Sequence, residues 1–251
     1  EGGSVIYIGD NKTTGEIDSY SVNTLKIPGI ILMENAARNF TGTLDPGLDN
    51  FLIVCGRGNN GGDGYAIARQ LVSLNKRVSV FSCETSNMSR DCQINYDICR
   101  NLGIPMESDI SALKELIISH DVVIDAIFGT GLDKALGEPY DKIINSINQY
   151  GKYIISVDIP SGINGTTGET AGISVKADKT VSFVTYKQGF LNYSAAEFLG
   201  KIKVVNIGLP EDVIKKFSNI MLMDKKYIKN LFIPRLKYSQ KENSGHPLII
   251  T

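Results

Sequence analysis

The chain has 251 residues, of which 42% are hydrophobic and 21% are charged, and its formal net charge is -1. This size and composition are typical of an ordinary globular protein with a large core, and one α/β domain accounts for most of the length. The near-neutral charge and the lack of a long basic run argue against nucleic acid or an anionic membrane surface as a partner.

The cysteine pattern bears on the compartment. The four cysteines, Cys55, Cys83, Cys92 and Cys99, show neither a C-x-x-C pair nor metal-ligand spacing, which favours a reduced cytoplasmic protein over a disulfide scaffold. No apolar stretch approaches the roughly 18 residues that a membrane-spanning helix needs, and no signal peptide is visible. We therefore expect a cytoplasmic protein without a membrane segment.

Two helices are predicted before the first buried strand. Thr13-x-x-Glu16 is a capping-box pattern that predicts the start of the first helix, which ends before Pro28. The second helix begins near Pro28, and its predicted buried side consists of Ile31, Leu32, Ala36, Ala37 and Phe40. Glu34 and Asn35 are polar positions in this helix, and a solvated face and a functional role are both open for them. The two helices are amphipathic additions that could form a homodimer surface.

A glycine-rich segment follows the first predicted strand. Residues 51–55 have the composition of a fully buried strand, and helical spacing starts at Tyr65. Residues 56–64 contain five glycines in nine positions, more than a plain strand-to-helix turn needs. We predict a ligand-binding loop here, at the carboxyl end of a parallel strand, whose glycines permit close approach of the backbone and positive φ angles.

The same segment contains a dinucleotide-binding pattern. Gly56, Gly58 and Gly61 satisfy G-x-G-x-x-G, and Glu84 stands about where a ribose-binding acid would lie. Asp63 argues against that interpretation, because its carboxylate at the start of the helix would face a docked pyrophosphate. An NAD-dependent oxidoreductase is nevertheless an alternative function, and a non-catalytic nucleotide-binding module on the same fold is another.

Strands alternate with helices along the rest of the chain. The predicted strands cover residues 77–83, 104–106, 121–128, 153–157, 179–185 and 201–207, and the predicted helices cover residues 88–102, 110–119 and 140–150. This order predicts a Rossmann-like three-layer αβα sandwich with a mostly parallel central sheet, preceded by the two extra helices.

Three predicted strand ends carry polar, glycine-bearing segments: residues 56–64, 125–132 and 158–165. Because loops that follow parallel strands emerge on one edge of the sheet, we expect these segments to converge. Asp125 lies within the apolar run of its predicted strand, and Asp158 repeats the arrangement one strand later. A buried carboxylate is costly unless it is paired, hydrogen-bonded or bound to a cation.

Two interpretations of these aspartates are open. With Asn60 and Ser161 as neutral oxygen donors, the two acids could hold a cation that prefers oxygen ligands. A set made only of oxygen ligands argues against a zinc or iron–sulfur site. Alternatively, the aspartates cap their loops by accepting backbone N–H bonds, and both roles can hold together.

Five segments resemble signature segments of the NAD(P)H-hydrate epimerases. They are residues 33–37 (Met-Glu-Asn-Ala-Ala), 59–64 (Asn-Asn-Gly-Gly-Asp-Gly), 125–132 (Asp-Ala-Ile-Phe-Gly-Thr-Gly-Leu), 158–162 (Asp-Ile-Pro-Ser-Gly) and 183–189 (Phe-Val-Thr-Tyr-Lys-Gln-Gly). The resemblance spans about residues 10–210, and its motifs are in order and correctly spaced. In the last segment the family often has proline where Tyr186 or Gln188 stands, which concerns the geometry of Lys187.

The resemblance implies a substrate, a reaction and a metal. Members of the family interconvert the R and S epimers of NADHX and NADPHX, the reduced nicotinamide cofactors hydrated at C6, so that an S-specific dehydratase can restore the cofactor. It implies one potassium ion per subunit, held by Asn60, Asp125 and Ser161. The implied substrate contacts are Asn59, Asn60, Gly61, Gly62, Asp63, Gly129, Thr130, Gly131, Leu132, Asp133, Lys134, Ala135 and Asp158. Glu84 leaves the choice between NADHX and NADPHX open.

Epimerisation at C6 can proceed by loss and return of water through an iminium-like ion, or by ring opening and reclosure. Either route needs a proton carrier at oxygen and a stabilised cationic carbon, which a carboxylate near the ring supplies. We assign this role to Asp158 rather than to Asp63, which is expected to hold a ribose or a backbone turn. Lys187 is the second catalytic candidate and is expected to contact a phosphate or orient Asp158, unless it is a solvated loop lysine.

The end of the chain is predicted to leave the epimerase domain. We assign residues 5–223 to that domain and residues 224–251 to a linker and the start of a truncated C-terminal domain. Residues 248–250 begin a new apolar run after a polar stretch, and the segment resembles the opening of the ATP- or ADP-dependent NAD(P)H-hydrate dehydratase of bifunctional family members. The alternative is a tail that packs back on the domain.

Overall fold

The structure, a computed structural model, describes residues 6–131, residues 136–223 and Lys229. Its strands are β1 (Ile6–Gly9), β2 (Asn50–Cys55), β3 (Arg77–Ser82), β4 (Met106–Glu107), β5 (Val122–Ala126), β6 (Ile154–Val157), β7 (Lys179–Phe183), β8 (Tyr186–Lys187), β9 (Lys201–Val205) and β10 (Met221–Leu222). Its α-helices are α1 (Asn11–Asn23), α2 (Gly29–Thr41), α3 (Asn59–Ser73), α4 (Arg90–Asn101), α5 (Ile110–Ser119), α6 (Tyr140–Tyr150), α7 (Ala196–Leu199) and α8 (Glu211–Lys215).

Seven strands form one parallel sheet in the order β4-β3-β2-β5-β6-β7-β9. The strand order reverses between β2 and β5, because the strands that follow β2 run towards one edge and those that follow β5 run towards the other. In open α/β sheets such a switch point leaves a crevice beyond the carboxyl ends of the strands, where ligands bind. The predicted parallel sheet is confirmed, and its switch point indicates where the site lies.

Helices cover both faces of this sheet, so the predicted three-layer sandwich is also confirmed. Alternate residues of β2 belong to opposite cores: Phe51 and Ile53 pack with α2, α3 and α4, whereas Leu52 and Val54 pack with α5 and α6. Successive side chains of a strand point to opposite faces, and a strand buried on both faces is apolar throughout. That requirement explains why residues 51–55 were readily predicted.

The glycine-rich segment differs from its predicted form. Helix α3 already begins at Asn59, so Gly61 and Gly64 lie within the helix rather than in a loop. None of the glycines between residues 56 and 64 has a positive φ angle. A Cβ atom on Gly61 would overlap the carbonyl oxygen of Gly56, and one on Gly64 would lie 2.6 Å from Ala126 Cβ. These glycines are therefore required for close packing of α3 on the strand ends.

The first two helices differ from the prediction in the cap of α1 and in one buried residue of α2. Asp10, not Thr13, caps α1, since its carboxylate accepts the N–H of Thr13 at 2.7 Å. Helix α2 begins after Pro28 as predicted, but Ile31 is 49% exposed, and Met33 takes its place in the buried stripe. The predicted stripe was wrong at Ile31 because the buried face of α2, which packs mainly against α3, is rotated towards Met33.

A second, three-stranded sheet was not predicted. Strand β1 pairs antiparallel with β10 and parallel with β8, and the second pairing sets Gly9 opposite Lys187. These strands have two to four residues, too few for a period-2 pattern to be recognised. Through β1 the start of α1 is fixed beside β8.

Three further predictions concern membrane helices, the cysteines and the end of the chain. No helix in residues 6–131 or 136–223 is long and apolar enough to cross a membrane. All four cysteines are free thiols. The predicted linker and dehydratase opening, residues 224–251, lie outside the described residues except for Lys229.

Candidate active site

A cavity of about 580 Å³ opens at the carboxyl edge of the parallel sheet. The three polar strand-end segments meet there: α3 contributes Asn60, the segment after β5 contributes Gly129 and Thr130, and Asp158 follows β6. Lys187 of β8 and one side of α2 complete the wall. A volume of this size is typical of small-molecule sites.

The predicted substrate residues fall into three groups. Those that line the cavity are Asn59, Asn60, Asp63, Gly129, Thr130, Gly131 and Asp158. Gly61 and Gly62 do not line it, since a Cβ atom on either would meet Gly56 or Met33. Leu132, Asp133, Lys134 and Ala135 lie outside the described residues.

Asp158 and Lys187 form a buried ion pair at the cavity. Lys187 is 0% exposed, and its Nζ lies 2.8 Å from Asp158 Oδ1 and donates to the carbonyl oxygen of Phe183 at 3.0 Å. The solvated-lysine interpretation is therefore wrong. Buried in this way, the ammonium group orients Asp158, and the structure gives no support to the alternative of a phosphate contact.

The hydrogen bonds to Asp158 are all on one oxygen. Besides Lys187, Oδ1 receives the N–H of Phe183 at 2.9 Å and the hydroxyl of Ser182 at 3.4 Å. No described residue donates a hydrogen bond to Oδ2. Several donors on one oxygen suit an ionised carboxylate, and the second oxygen is left for a ligand in the cavity.

Two strained turns place these groups. Asp158 has φ of 64° at the centre of a three-residue turn in which the N–H of Ile159 bonds to the carbonyl oxygen of Val157 at 2.8 Å. Val184 has φ of 65° in the corresponding turn after β7. A γ-turn with a positive central φ is rare, and a β-branched residue there is an outlier. Such strain costs on the order of 1–3 kcal/mol per residue and is typical of pre-organised functional sites.

Asp125 lies deeper and is fully buried. Its Oδ1 accepts the Ser161 hydroxyl at 2.6 Å, and its Oδ2 accepts the Ser156 hydroxyl at 2.8 Å and the Ser161 N–H at 2.9 Å. Burial raises the pKa of Asp125, and the hydrogen bonds from Ser161 and Ser156 oppose that rise. The loop-capping role foreseen for this residue is therefore present.

The same residues fit the predicted cation site in their donor chemistry. Asn60 is 7% exposed, and its buried Nδ2 has no hydrogen-bond partner among the described residues. Since the two ends of an amide are assigned from their hydrogen bonds, an unpartnered amide can turn its oxygen to the same position. Asn60 would then join a carboxylate of Asp125 and a hydroxyl of Ser161 in an all-oxygen set. Such a set suits a hard, weakly charged cation.

Acidic side chains outnumber basic ones in the cavity lining, with Asp18, Asp63, Asp91 and Asp158 against Arg57 and Lys187. Asp63 and Asp18 line it together with the Asp158–Lys187 pair. Burial raises the pKa of Asp63 well above its usual range, and the charges of Asp158 and Asp18 add to that rise. Asp18 was not singled out in the sequence. The available signal was its spacing of four residues from Thr14 and Val22, which also line the cavity.

Three other polar residues have structural roles. Asn35 donates to the carbonyl oxygen of Ile207 at 3.0 Å, and Glu34 pairs with Arg69, so both attach α2 to its neighbours and neither lines the cavity. Glu84 pairs with Arg57 at 2.9 Å and does not line the cavity. Glu84, the candidate ribose-binding acid of the dinucleotide pattern, is therefore occupied by its ion pair with Arg57.

Comparisons with known proteins agree on one family. The family model described as YjeF-related protein N-terminus matches residues 29–189. The chain is 36% identical to an NAD(P)H-hydrate epimerase of Rhodopirellula baltica, over 81% of the chain and 85% of that protein. It is 35% identical to a bifunctional NAD(P)H-hydrate repair enzyme of Dictyoglomus turgidum, over 89% of the chain and 45% of that protein.

A solved structure supports the fold. The crystal structure of yeast ynu0 superposes with a TM-score of 0.68 at 21% identity, covering 88% of this chain and 96% of that chain. At this level of identity the likeness concerns the fold alone.

The ion pair can be tested by removing its cation. Lys187→Met should lower the free energy of unfolding at pH 7 by about 3–5 kcal/mol, because it leaves a buried carboxylate uncompensated. Urea unfolding followed by circular dichroism at pH 7 measures the loss.

The double variant Lys187→Met/Asp158→Asn is the control, and it should regain part of the loss because no charge stays buried. A single variant as stable as the wild type at pH 7 would show that the pair is not a stabilising contact.

Proposed function

We propose that this chain, which belongs to the family of the NAD(P)H-hydrate epimerases, interconverts the R and S epimers of NADH and NADPH hydrated at C6. It is an isomerase of cofactor repair, and its product is the epimer that a dehydratase converts back to the reduced cofactor. The relatives carry this activity in their names. The single observation that supports it in this chain is the buried Asp158–Lys187 pair at the wall of the cavity.

The charge distribution suits a cationic intermediate. When the C6 hydroxyl leaves as water, the lone pair of the ring nitrogen forms a double bond to C6, and the ring becomes positively charged. The cavity lining contains four carboxyl groups, those of Asp18, Asp63, Asp91 and Asp158, against the two cationic groups of Arg57 and Lys187. Fixed negative charge in a site that excludes water stabilises a developing cation more than it does in bulk solvent. We therefore favour loss and return of water over ring opening.

Asp158 moves a proton in this scheme. Its Oδ1 is held by three donors, which fixes the carboxylate, and Oδ2 is left to accept a proton from the water that adds to C6 or to give one to the hydroxyl that leaves. Lys187 acts through Asp158, since its ammonium group is occupied by Oδ1 and by the carbonyl oxygen of Phe183.

The oxidoreductase alternative has less support. It requires glycines in a phosphate-binding turn and a free ribose-binding acid, whereas Gly61 lies within α3, packed against the carbonyl oxygen of Gly56, and Glu84 pairs with Arg57. The binding-module alternative keeps the same cavity without turnover, and an activity assay separates it from the epimerase.

We propose one potassium ion per subunit at Asn60, Asp125 and Ser161. When bound, the ion would offset the buried charge of Asp125 and fix the segments after β2, β5 and β6 around the substrate. The supporting observations are the unpartnered amide of Asn60 and the all-oxygen donor set.

The partners and the location are proposals of the same kind. The bifunctional relative supports a following NAD(P)H-hydrate dehydratase domain, for which residues 224–251 would be the linker and the opening. A homodimer through the first two helices has in its favour the exposed Leu25, which follows α1, and the exposed Ile31 of α2. Four free thiols accord with a cytoplasmic location.

The catalytic assignment is tested by Asp158→Asn. Asparagine keeps the volume and tolerates a positive φ angle, but it carries no proton, so the rate of epimerisation should fall by about 10²–10⁴-fold. The protein is mixed with an R,S hydrate mixture and an S-specific dehydratase, and recovery of the cofactor from the R fraction is followed.

Asp121→Asn, at an exposed ion pair with Lys152, is the matched control and should keep full activity. More than about a tenth of the wild-type rate in the Asp158 variant would exclude Asp158 as proton carrier. A wild-type protein that binds the hydrates but leaves the recovery rate unchanged would support the binding module instead.

The cation site is tested by exchanging the salt. Replacing potassium chloride by choline chloride at equal ionic strength should lower both the melting temperature and the activity. Binding at 100 times Kd would stabilise the fold by about 2.7 kcal/mol. Asp125→Asn should remove the difference between the two salts, whereas Asp121→Asn should keep it. A wild-type protein that behaves identically in both salts contradicts the proposal.

A further inference from the structure

One wall of the cavity comes from helix α1, which lies outside the matched family segment of residues 29–189. Thr14, Asp18 and Val22 line the cavity, and their spacing of four residues places them on one side of the helix. An amphipathic helix that only covered the sheet would turn an apolar stripe to this position. A carboxylate at the centre of the stripe is therefore unexpected for a covering role.

Helix α1 is held firmly against the site. Strand β1 directly precedes it and pairs with β8, setting Gly9 opposite Lys187. The N–H of Asn11 donates to Thr166 Oγ1 at 3.0 Å, which ties the start of the helix to the segment after β6. The position of Asp18 relative to Lys187 is thus fixed by the pairing of β1 with β8 and by the Asn11–Thr166 hydrogen bond, as well as by packing.

The charged groups that face Asp18 come from other elements. The charges of Lys187 on β8 and Asp158 after β6 act on the Asp18 carboxyl group. The charges of Asp18 and Asp158 in turn act on Asp63 of α3. Asp91 of α4 and Arg57 before α3 line the same cavity. Its neighbours one turn away on α1, Thr14 and Val22, are uncharged.

This setting makes Asp18 suitable for proton exchange near neutral pH. Asp18 is solvent-exposed, so water reaches it. Its carboxyl group nevertheless lies in the concave cavity, where protein atoms surround it. Burial raises the pKa of Asp18 to about 6, Lys187 opposes that rise and Asp158 adds to it. A ligand that fills the cavity removes the remaining water and strengthens the effect of burial.

Epimerisation places a demand on the site that one carboxylate does not meet. The hydroxyl leaves C6 from one face of the ring, and water must return to the opposite face. Asp158 is locked in one orientation by the three donors on Oδ1, so it serves a single face. A second proton carrier has to come from another wall.

We propose that Asp18 is this second proton carrier and serves the face of the nicotinamide ring that Asp158 does not reach. The inference rests on the proposed epimerase function and deepens it. In one direction the carboxyl group of Asp18 gives its proton to the C6 hydroxyl. The C6–O bond then breaks with its electron pair on the departing water, and the lone pair of the ring nitrogen forms a double bond to C6.

A water molecule then adds to the other face of C6 and forms the new C6–O bond. It loses a proton to Asp158, while the ring nitrogen regains its lone pair. The reverse direction exchanges the two roles, so the active form carries one proton shared between the two carboxyl groups. Water is released and taken up once, and no redox change occurs.

The test is the pH profile of Asp18→Asn. In the wild type, kcat/KM should fall as the pH rises above about 6, because the shared proton is then lost, and kcat should fall at a higher pH, because the bound ligand strengthens the effect of burial. The variant should lose about 10²-fold in kcat with little change in KM, and its residual rate should no longer show this fall. Spontaneous epimerisation, measured without protein at each pH, is subtracted.

Two matched variants serve as controls. Glu16→Gln removes a carboxylate from the exposed side of the same helix, where it pairs with Lys12 at 3.8 Å, and should keep the wild-type rate and profile. Asp18→Glu keeps a titratable carboxyl group and should retain a fall in rate as the pH rises. Circular dichroism confirms that all variants are folded at the assay temperature.

The outcomes separate this inference from the proposed function. An Asp18→Asn variant that keeps kcat within threefold and the same pH profile, or that changes KM alone, overturns the role of Asp18 and leaves the epimerase function standing. A wild-type protein without epimerase activity overturns both.

Discussion

The buried ion pair between Lys187 and Asp158 is the interaction on which the site depends. A lysine with no exposed surface is costly to bury, and its charge has to be matched by a carboxylate and a carbonyl oxygen in good geometry. The strained turns after β6 and β7 supply both groups, since one carries Asp158 and the other exposes the carbonyl oxygen of Phe183. The pair thus couples two strand ends, and β8 extends the connection through β1 to α1.

The arrangement also explains why two non-glycine residues keep left-handed backbone angles. Moving Asp158 or Val184 into an ordinary extended conformation would redirect the carboxylate or the Phe183 carbonyl away from Lys187. Strain at these positions is therefore offset by the pairing of a buried charge. The consequence for function is a carboxylate fixed in one orientation, with a single oxygen available to the cavity.

The sequence was most informative where burial imposes a simple pattern. Apart from Asn50 and Asp125, strands β2 and β5 are apolar because both of their faces are covered, and the polar segments that follow them could be placed on one sheet edge from topology alone. The family resemblance pointed to Asp158 and Lys187 as candidate site residues, and the structure places both at the cavity. The extent of α3 was missed because Gly61 and Gly64 pack their backbone against the strand ends and so carry no apolar periodicity.

Other features left no recognisable trace in the sequence. The turns at Asp158 and Val184 lack the glycine that normally marks a positive φ angle, and the strands of the second sheet are too short to show a period. Asp18 was missed because one acid on an amphipathic helix is usually part of a solvated face. Its significance depends on a strand pairing distant in sequence, which only the structure reveals.

The proposed loss and return of water at C6 can be tested directly with isotopic oxygen. The purified R epimer is incubated with the protein in H₂¹⁸O without a dehydratase, and the S epimer is isolated early and analysed by mass spectrometry, with the reaction without protein as background. We expect S epimer that has gained two mass units from one solvent oxygen. Formation of S epimer that retains its original oxygen, or no S epimer above background, would contradict water loss in this cavity.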